Sequence, residues 1–272
     1  MDNINNTTVI TSKELKLNQD YYYQEILDFA SHIGTLLLEN GAEAYRVEDT
    51  IMRILKSFNI KNCSSITTTT GLFVCIGDKT KIERIKIRNI NLYRLAEINS
   101  LSRQIVSKQI DLKNAKELLH EIEHYTVYDN KTITISIGLC CAFFCFLFEG
   151  TISDAISAFI VGFLLNMLLI YFSEKAVTTF MSTCMGGIFV AVMSLLNLNL
   201  GIGENINTVI IAGVMPLVPG MCFTTAVRDI FEGDYLSGNS RMFEALVIAI
   251  AIAIGVGVVL SMWINVFGDF LI

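Results

Sequence analysis

Two short stretches of this chain carry groups suited to binding or catalysis. The first is Met215-Pro216-Leu217-Val218-Pro219-Gly220, which contains both prolines of the 272-residue sequence. Each proline removes a backbone N–H and clashes with the preceding turn of a helix. Two of them followed by a glycine predict a broken helix inside an apolar segment. Backbone groups laid bare at membrane depth are tolerated only within protein or beside a water-filled cavity, and transporters use such breaks to bind solutes. A half-helix starting at Gly220 would turn its positive dipole end toward a carboxylate. Thr224 and Thr225 follow as hydroxyl partners, with Arg228 and Asp229 one to two turns further on. The candidate substrate-binding residues are therefore Pro216, Pro219, Gly220, Thr224, Thr225, Arg228 and Asp229, joined by Asn166 from the middle of another apolar segment. Asn166 reads equally as an interhelical hydrogen bond or as a pore-lining amide.

The second stretch, His120-Glu121-Ile122-Glu123-His124, matches H-E-x-x-H. On a helix that spacing sets two imidazoles on one face to grip zinc, with Glu121 as general base. The same helical wheel places both histidines opposite the Leu118, Leu119 and Ile122 stripe, and the remaining histidine, His32, falls on a different helix. The expectation is solvated surface histidines, no metal site and no cofactor. A membrane-anchored metallohydrolase built on His120, Glu121 and His124 is the alternative, and a non-transporting membrane sensor or scaffold is a third reading.

The elements that would carry these groups follow from where the charges lie. Of 20 Lys and Arg residues, 17 occur by residue 131, leaving Lys175, Arg228 and Arg241. Stretches free of Asp, Glu, Lys and Arg cover residues 132–148, 155–173, 176–203, 205–227 and 245–268. A helix of about 20 residues crosses a hydrocarbon core, so the sequence predicts five transmembrane spans, at about 132–148, 155–173, 176–197, 205–227 and 245–268. No signal peptide stands before them, so residues preceding 132 are expected to stay in the cytosol. All three later basic residues then fall on the cytosolic side, as the positive-inside rule requires. The result is a multi-pass protein of the inner (plasma) membrane, with its N-terminus cytoplasmic and its C-terminus outside. None of the seven cysteines falls in an outer loop, so no disulfide framework is implied. Asp154 and Glu204 are expected to be interfacial and solvated, and Gly186-Gly187 and Gly255-x-Gly257 to permit close helix packing. Arg241 and Glu244 are placed to pair with Asp229 or Arg228.

Ahead of the spans, residues 1–19 read as a disordered tail and 20–130 as a cytosolic α+β domain, with 131–272 as the transmembrane domain. Helical periodicity runs over 21–39 and 44–58, separated by an Asn40-Gly41 stop. A β-rich stretch covers 64–76, and 81–88 carries Ile85 and Ile87 at strand spacing beyond a Gly77-Asp78 turn. Two helices follow, the last capped by Asp111. The fold class is thus a mostly α membrane protein: an α+β N-terminal domain, then a five-helix bundle with a broken fourth helix. No basic patch or arm is present, so nucleic acid is not an expected partner, and no GxxxxGK[ST] loop offers ATP drive.

Gly41-Ala42-Glu43-Ala44-Tyr45-Arg46-Val47-Glu48 resembles the "GA-small-x-x-RVE" signature of the threonine/serine exporter family. Leu217-Val218-Pro219-Gly220, followed by Arg228-Asp229 and the Gly238–Arg241 loop, resembles that family's "PLVPG" segment. The resemblance runs from about residue 20 to 265. It implies export of small hydroxy amino acids (threonine, serine) or, in split systems, of a dicarboxylate such as succinate. It also implies a second, small integral-membrane subunit as partner alongside the lipid bilayer.

Overall fold

A computed structural model describes residues 2–86, 89–125 and 128–267, without the side chains of residues 2–18 and of Phe267. In chain order its elements are α1 (Asp2–Glu39), α2 (Ala44–Ser57), β1 (Cys63–Thr68), β2 (Gly71–Ile76), β3 (Lys79–Arg84), α3 (Leu92–Val106) and α4 (Leu112–His124). Then come α5 (Asn130–Leu147), α6 (Ile152–Glu174), α7 (Thr179–Asn199), α8 (Ile206–Val214), a 3-10 turn (Met215–Leu217), α9 (Gly220–Phe231) and α10 (Tyr235–Phe267). The chain divides into two compact units: Met1–Tyr125 with Thr224–Arg241, and Thr126–Phe223 with Met242–Ile272. The segment 224–241, which the sequence assigns to the transmembrane domain, therefore packs within the first unit.

In the first unit, α1 starts inside the segment expected to be a tail. Its Ile26, Leu27, Ile33 and Leu37 meet Val47, Ile51, Ile54 and Leu55 of α2, all completely or almost completely buried. Each such side chain contributes about 1.5–3 kcal/mol by leaving water. The antiparallel sheet, ordered β1-β2-β3, adds Leu72, Val74 and Ile76 from alternate positions of β2. Gly34 lets α1 approach closely, since a Cβ there would lie 2.6 Å from Ile51 Cδ1 and 2.7 Å from Leu72 Cδ2. The β-rich stretch 64–76 proves to be a hairpin, turning at Thr69-Thr70 and pairing Thr67 with Leu72. Gly77, at φ +61°, makes the next turn. Of the expected third strand, Ile87 and Arg88 lie outside the described residues. Side-chain caps set the starts of the last two helices: Asn91 accepts from Arg94 N–H at 3.0 Å and Asp111 from Asn114 N–H at 3.1 Å.

In the second unit, α5, α6, α7 and α10 are long and apolar enough to cross a membrane. The pair Ile206–Leu217 and Gly220–Phe231 makes a fifth when counted together, and is bent by 58°. By itself the 12-residue first half reaches roughly 18 Å at helical rise, short of a hydrocarbon core of about 30 Å. The core holds Val161, Leu165, Val190, Leu195, Val209 and Leu217. Close packing at glycine is present between α7 and α10: a Cβ on Gly187 would lie 3.1 Å from the Ile252 carbonyl oxygen, and one on Gly255 would collide with the Cys184 carbonyl. Gly257 faces open space.

Two expectations are corrected here. Asp154 is fully buried rather than solvated, while Glu204 is exposed. Asp154 Oδ2 forms a capping box with Thr151 at the start of α6, and Oδ1 accepts from the Glu204 and Asn205 amides at 2.6 and 2.8 Å. Its burial is the consequence of holding two chain segments at once. Gly238–Arg241 is not a loop but the first part of α10. Glycine is required at 238 because a Cβ would press on Ile230 and lie 3.0 Å from the Ala226 carbonyl oxygen.

Candidate functional site

The doubled proline breaks the helix as its chemistry dictates. Pro216 sits in the 3-10 turn, and Val218 is extended at φ −64° and ψ 128°, the conformation that a following proline favours. Val218 N–H returns to the Met215 carbonyl at 3.2 Å and Gly220 N–H to Val218 at 2.8 Å. Helix α9 then starts at Gly220, with no acidic residue in its first turn. Leu217 anchors the inner side of the break, and a Cβ on Gly186 would lie 3.2 Å from its methyl groups. On the outer side Val218 and Gly220 are exposed, and a Cβ on Gly220 would meet nothing within 4 Å. Two apolar grooves of this unit, one along Ile135 and Met167 and one along Val192 and Met262, do not include the break. Asn166 is committed to an interhelical hydrogen bond, donating to Thr134 Oγ1 of α5 at 2.8 Å.

Pro216, Pro219 and Gly220 belong to the second unit, whereas Thr224, Thr225, Arg228 and Asp229 belong to the first. There the far turns of α9 meet the α1–α2 corner. Helix α1 ends in a Schellman motif: Ala42 N–H bonds the Leu37 carbonyl at 3.0 Å and Gly41 N–H the Leu38 carbonyl at 3.2 Å. Gly41 takes φ +95°, a conformation that favours glycine. At the start of α2, Glu43 makes no side-chain cap. Instead the Ala44 N–H donates to Asp229 Oδ1 at 3.2 Å, a carboxylate supplied from 185 residues away. A negative charge at a helix N-terminus is favourable.

The remaining charges close this cluster. Arg228 pairs with Glu43, whose other oxygen lies 3.7 Å from Arg46. Buried Arg241 donates from Nη2 to the Ala42 carbonyl at 2.8 Å and from Nη1 to Thr225 Oγ1 at 3.3 Å. Its Nε lies 3.2 Å from Asp229 Oδ2, near enough for an ion pair although the N–H is not aimed along that line. This is the pairing of Arg241 expected from topology. The Thr69 and Ser240 hydroxyls share a hydrogen bond at 3.1 Å. Nearby, Glu48 accepts from Thr67 N–H at 2.6 Å. Burial pushes the Glu48 carboxyl above its ordinary range, with Asp234 adding to the rise and the Thr67 bond opposing it. Buried charges are costly unless paired and hydrogen-bonded, and Asp229 and Arg241 answer each other's cost.

Arg228 and Asp229 thus contact residues 43 and 44 directly, Thr225 joins them through Arg241, which bonds Ala42, and the two separate sequence signatures are halves of one polar contact. Sequence reasoning missed Ala42, Glu43 and Ala44 as partners. The signal available was weak: charged residues in both signatures, with nothing to say that a main-chain amide and a carbonyl were the recipients.

The H-E-x-x-H stretch lies on α4, with the His120 and His124 ring centroids 4.2 Å apart. Glu121 lines a pocket of about 240 Å³ with Tyr93 and Tyr125, whereas His120 lines a different groove of about 400 Å³ with His32 and Glu123. A hydrolytic metal centre needs its general base beside the metal-bound water, and Glu121 is turned away from that position.

The family model described as "Putative threonine/serine exporter" matches residues 28–263. The chain is similar to the "Probable succinate transporter subunit YjjP" of Klebsiella aerogenes, 25% identical over 239 residues that cover 84% of this chain and 90% of that protein. It is likewise similar to the protein of that description from Escherichia coli K12, 25% identical over 235 residues covering 85% and 91%. No solved structure matches the chain.

Proposed function

Because the chain belongs to the putative threonine/serine exporter family, we propose that it is one subunit of a secondary exporter for a small carboxylate-bearing solute, threonine or serine or a dicarboxylate such as succinate, held at the broken helix between Pro216 and Gly220. Membership in a transporter family is also what weighs against the hydrolase reading. The single observation that carries the proposal is the break itself: a 58° bend at Val218-Pro219, with α9 beginning at an exposed glycine over open space. A helix start of this kind is suited to a carboxylate. The second partner is a small integral-membrane subunit, a reading supported by the word "subunit" in the descriptions of both relatives. Large side chains such as Phe143, Leu147 and Met262 stay exposed along α5 and α10, surface for lipid or for that partner. The N-terminus is cytoplasmic and the C-terminus, which lies outside the described residues, extracytoplasmic.

The test is flux of labelled threonine, serine and succinate in proteoliposomes holding the chain alone and together with a candidate small integral-membrane subunit. Export by the pair, reduced by Pro219→Ala and abolished by Gly220→Leu at normal insertion, supports the proposal. Wild-type export in both variants sinks the broken-helix site, and flux of none of the three solutes sinks the substrate class.

A further inference from the structure

The whole sequence contains three histidines, at positions 32, 120 and 124, and the fold brings all three to one carboxylate, Glu123. We propose that His120, Glu123 and His124 bind a divalent transition-metal ion of the zinc class, with His32 orienting the Glu123 carboxylate.

The ligand atoms of His120, Glu123 and His124 lie within 4.8 Å of one another on one face of α4. Positions i, i+3 and i+4 of a helix are neighbours on its surface, so small rotamer changes suffice to close the set on an ion with bonds of about 2.0–2.2 Å. Imidazole nitrogens and a carboxylate oxygen are the donors zinc takes, leaving a fourth position to water. The tautomer of His124 is already set for the task. Its Nδ1 lies 2.9 Å from the His120 carbonyl oxygen. A carbonyl can only accept, so Nδ1 carries the hydrogen and Nε2 is left as the donor to metal, the outer bond that metal-binding histidines usually make.

His32 supplies the second such bond. It comes from α1, 91 residues away, and its Nε2 lies 3.2 Å from Glu123 Oε2. His32, His120 and Glu123 share the wall of the 400 Å³ groove described above, whose floor is Phe29 and Leu119. The two lysines there are answered by carboxylates, Lys116 by Glu25 at 2.7 Å, and Lys81 by Asp28 at 2.6 Å and Glu83 at 3.3 Å. A cation entering the groove therefore meets no uncompensated ammonium group. The bound ion would tie α4 to α1 through the Glu123–His32 bond. This site differs from the hydrolase pattern in the residue that matters: its carboxylate is Glu123, and Glu121 plays no part.

The experiment is a zinc titration of the full-length protein in detergent, purified without a histidine tag, in competition with a chromophoric chelator and repeated with cobalt, whose visible absorption reports coordination. Wild type should take up one equivalent at micromolar affinity or tighter and melt at higher temperature with zinc than with chelator. His120→Ala and His124→Ala should abolish that equivalent. Glu123→Gln, which removes a charged ligand, should weaken it by about 100-fold or more, and His32→Ala by about 10-fold, within the range for loss of a ligand-orienting partner. Glu121→Gln should bind as wild type. All five positions lie on helix surfaces, and unchanged circular dichroism in chelator keeps the comparison free of folding defects. No saturable equivalent in wild type, wild-type binding by Glu123→Gln, or weakening by Glu121→Gln equal to that of Glu123→Gln would each overturn the proposal.

Discussion

The starts of α2 and α9 pose the same physical problem and receive different answers. Each begins a helix with no acidic side chain in its own first turn to answer the positive end of the helix dipole. At Ala44 the fold imports a carboxylate, Asp229, and buries it against Arg241. At Gly220 nothing lies within 4 Å of where a Cβ would stand. The third case, Asp154 at the start of α6, sides with α2: a built-in acid, fully buried, holding a neighbouring segment as well. Where rigid geometry is needed, the chain supplies its own anion. At Gly220 no acid is built into the first turn, and the space beside its α-carbon is where an anionic solute would sit.

The sharpest way to break this contrast is to remove the imported anion. Asp229→Ala removes the carboxylate that answers buried Arg241, and truncating one partner of such a pair costs up to about 3–5 kcal/mol. Thermal unfolding in detergent should show the loss, with Asp229→Asn milder because an amide oxygen still accepts from Ala44. An unchanged melting temperature in Asp229→Ala would mean that the cluster is not a stabilising contact. At Gly220 the prediction is reversed: Gly220→Leu should leave stability intact, since no neighbour is displaced, while export falls by at least about tenfold, equivalent to 1.4 kcal/mol. Gly220→Asp would give α9 a tethered anion. It should raise stability by about 0.3–1 kcal/mol and still depress export; export at the wild-type rate would separate the helix start from the solute.

Two smaller effects refine the picture of the first unit. Arg228 is half exposed, so Arg228→Ala should cost at most about 1 kcal/mol, with Glu43 keeping Arg46. If Arg228 also meets the solute, the variant should lower export of a dicarboxylate more than that of threonine. Glu48 gives the smallest effect. Its folded-state pKa lies above the ordinary 4.5, so the folded state holds the proton more tightly than the unfolded chain. The cost of ionising it is absent below 4.5 and appears as pH rises through the raised value. Glu48→Gln keeps the acceptor for Thr67 without that cost. It should gain less than about 1 kcal/mol at neutral pH and match wild type in acid, as melting curves at the two pH values would show.

Legibility from sequence follows the range of the interaction involved. The apolar helices, the Asp111 cap and the break at Pro219 were readable because each depends on residues within a few positions. The Thr69-Thr70 turn was missed because neither residue is a glycine, proline or asparagine, the usual markers of a tight turn. Asp154 was misjudged because a lone acid at a span end reads as solvated until the Glu204 and Asn205 amides that need it are seen. His32 was set aside for lying on another helix, and that helix is the one packed against Glu123.

Chain chemistry thus suffices for membrane residence, for the succession of helices and strands, and for where one helix must fail. Charge-free runs of membrane length and the missing N–H of proline are properties of the covalent chain, independent of packing. Folding alone chose the partners: Asp229 for the Ala44 amide, Arg241 for the Ala42 carbonyl, Glu123 rather than Glu121 beside the histidines. Such pairs join residues up to 199 apart, and no local rule specifies which distant groups meet, because that depends on how every intervening element packs.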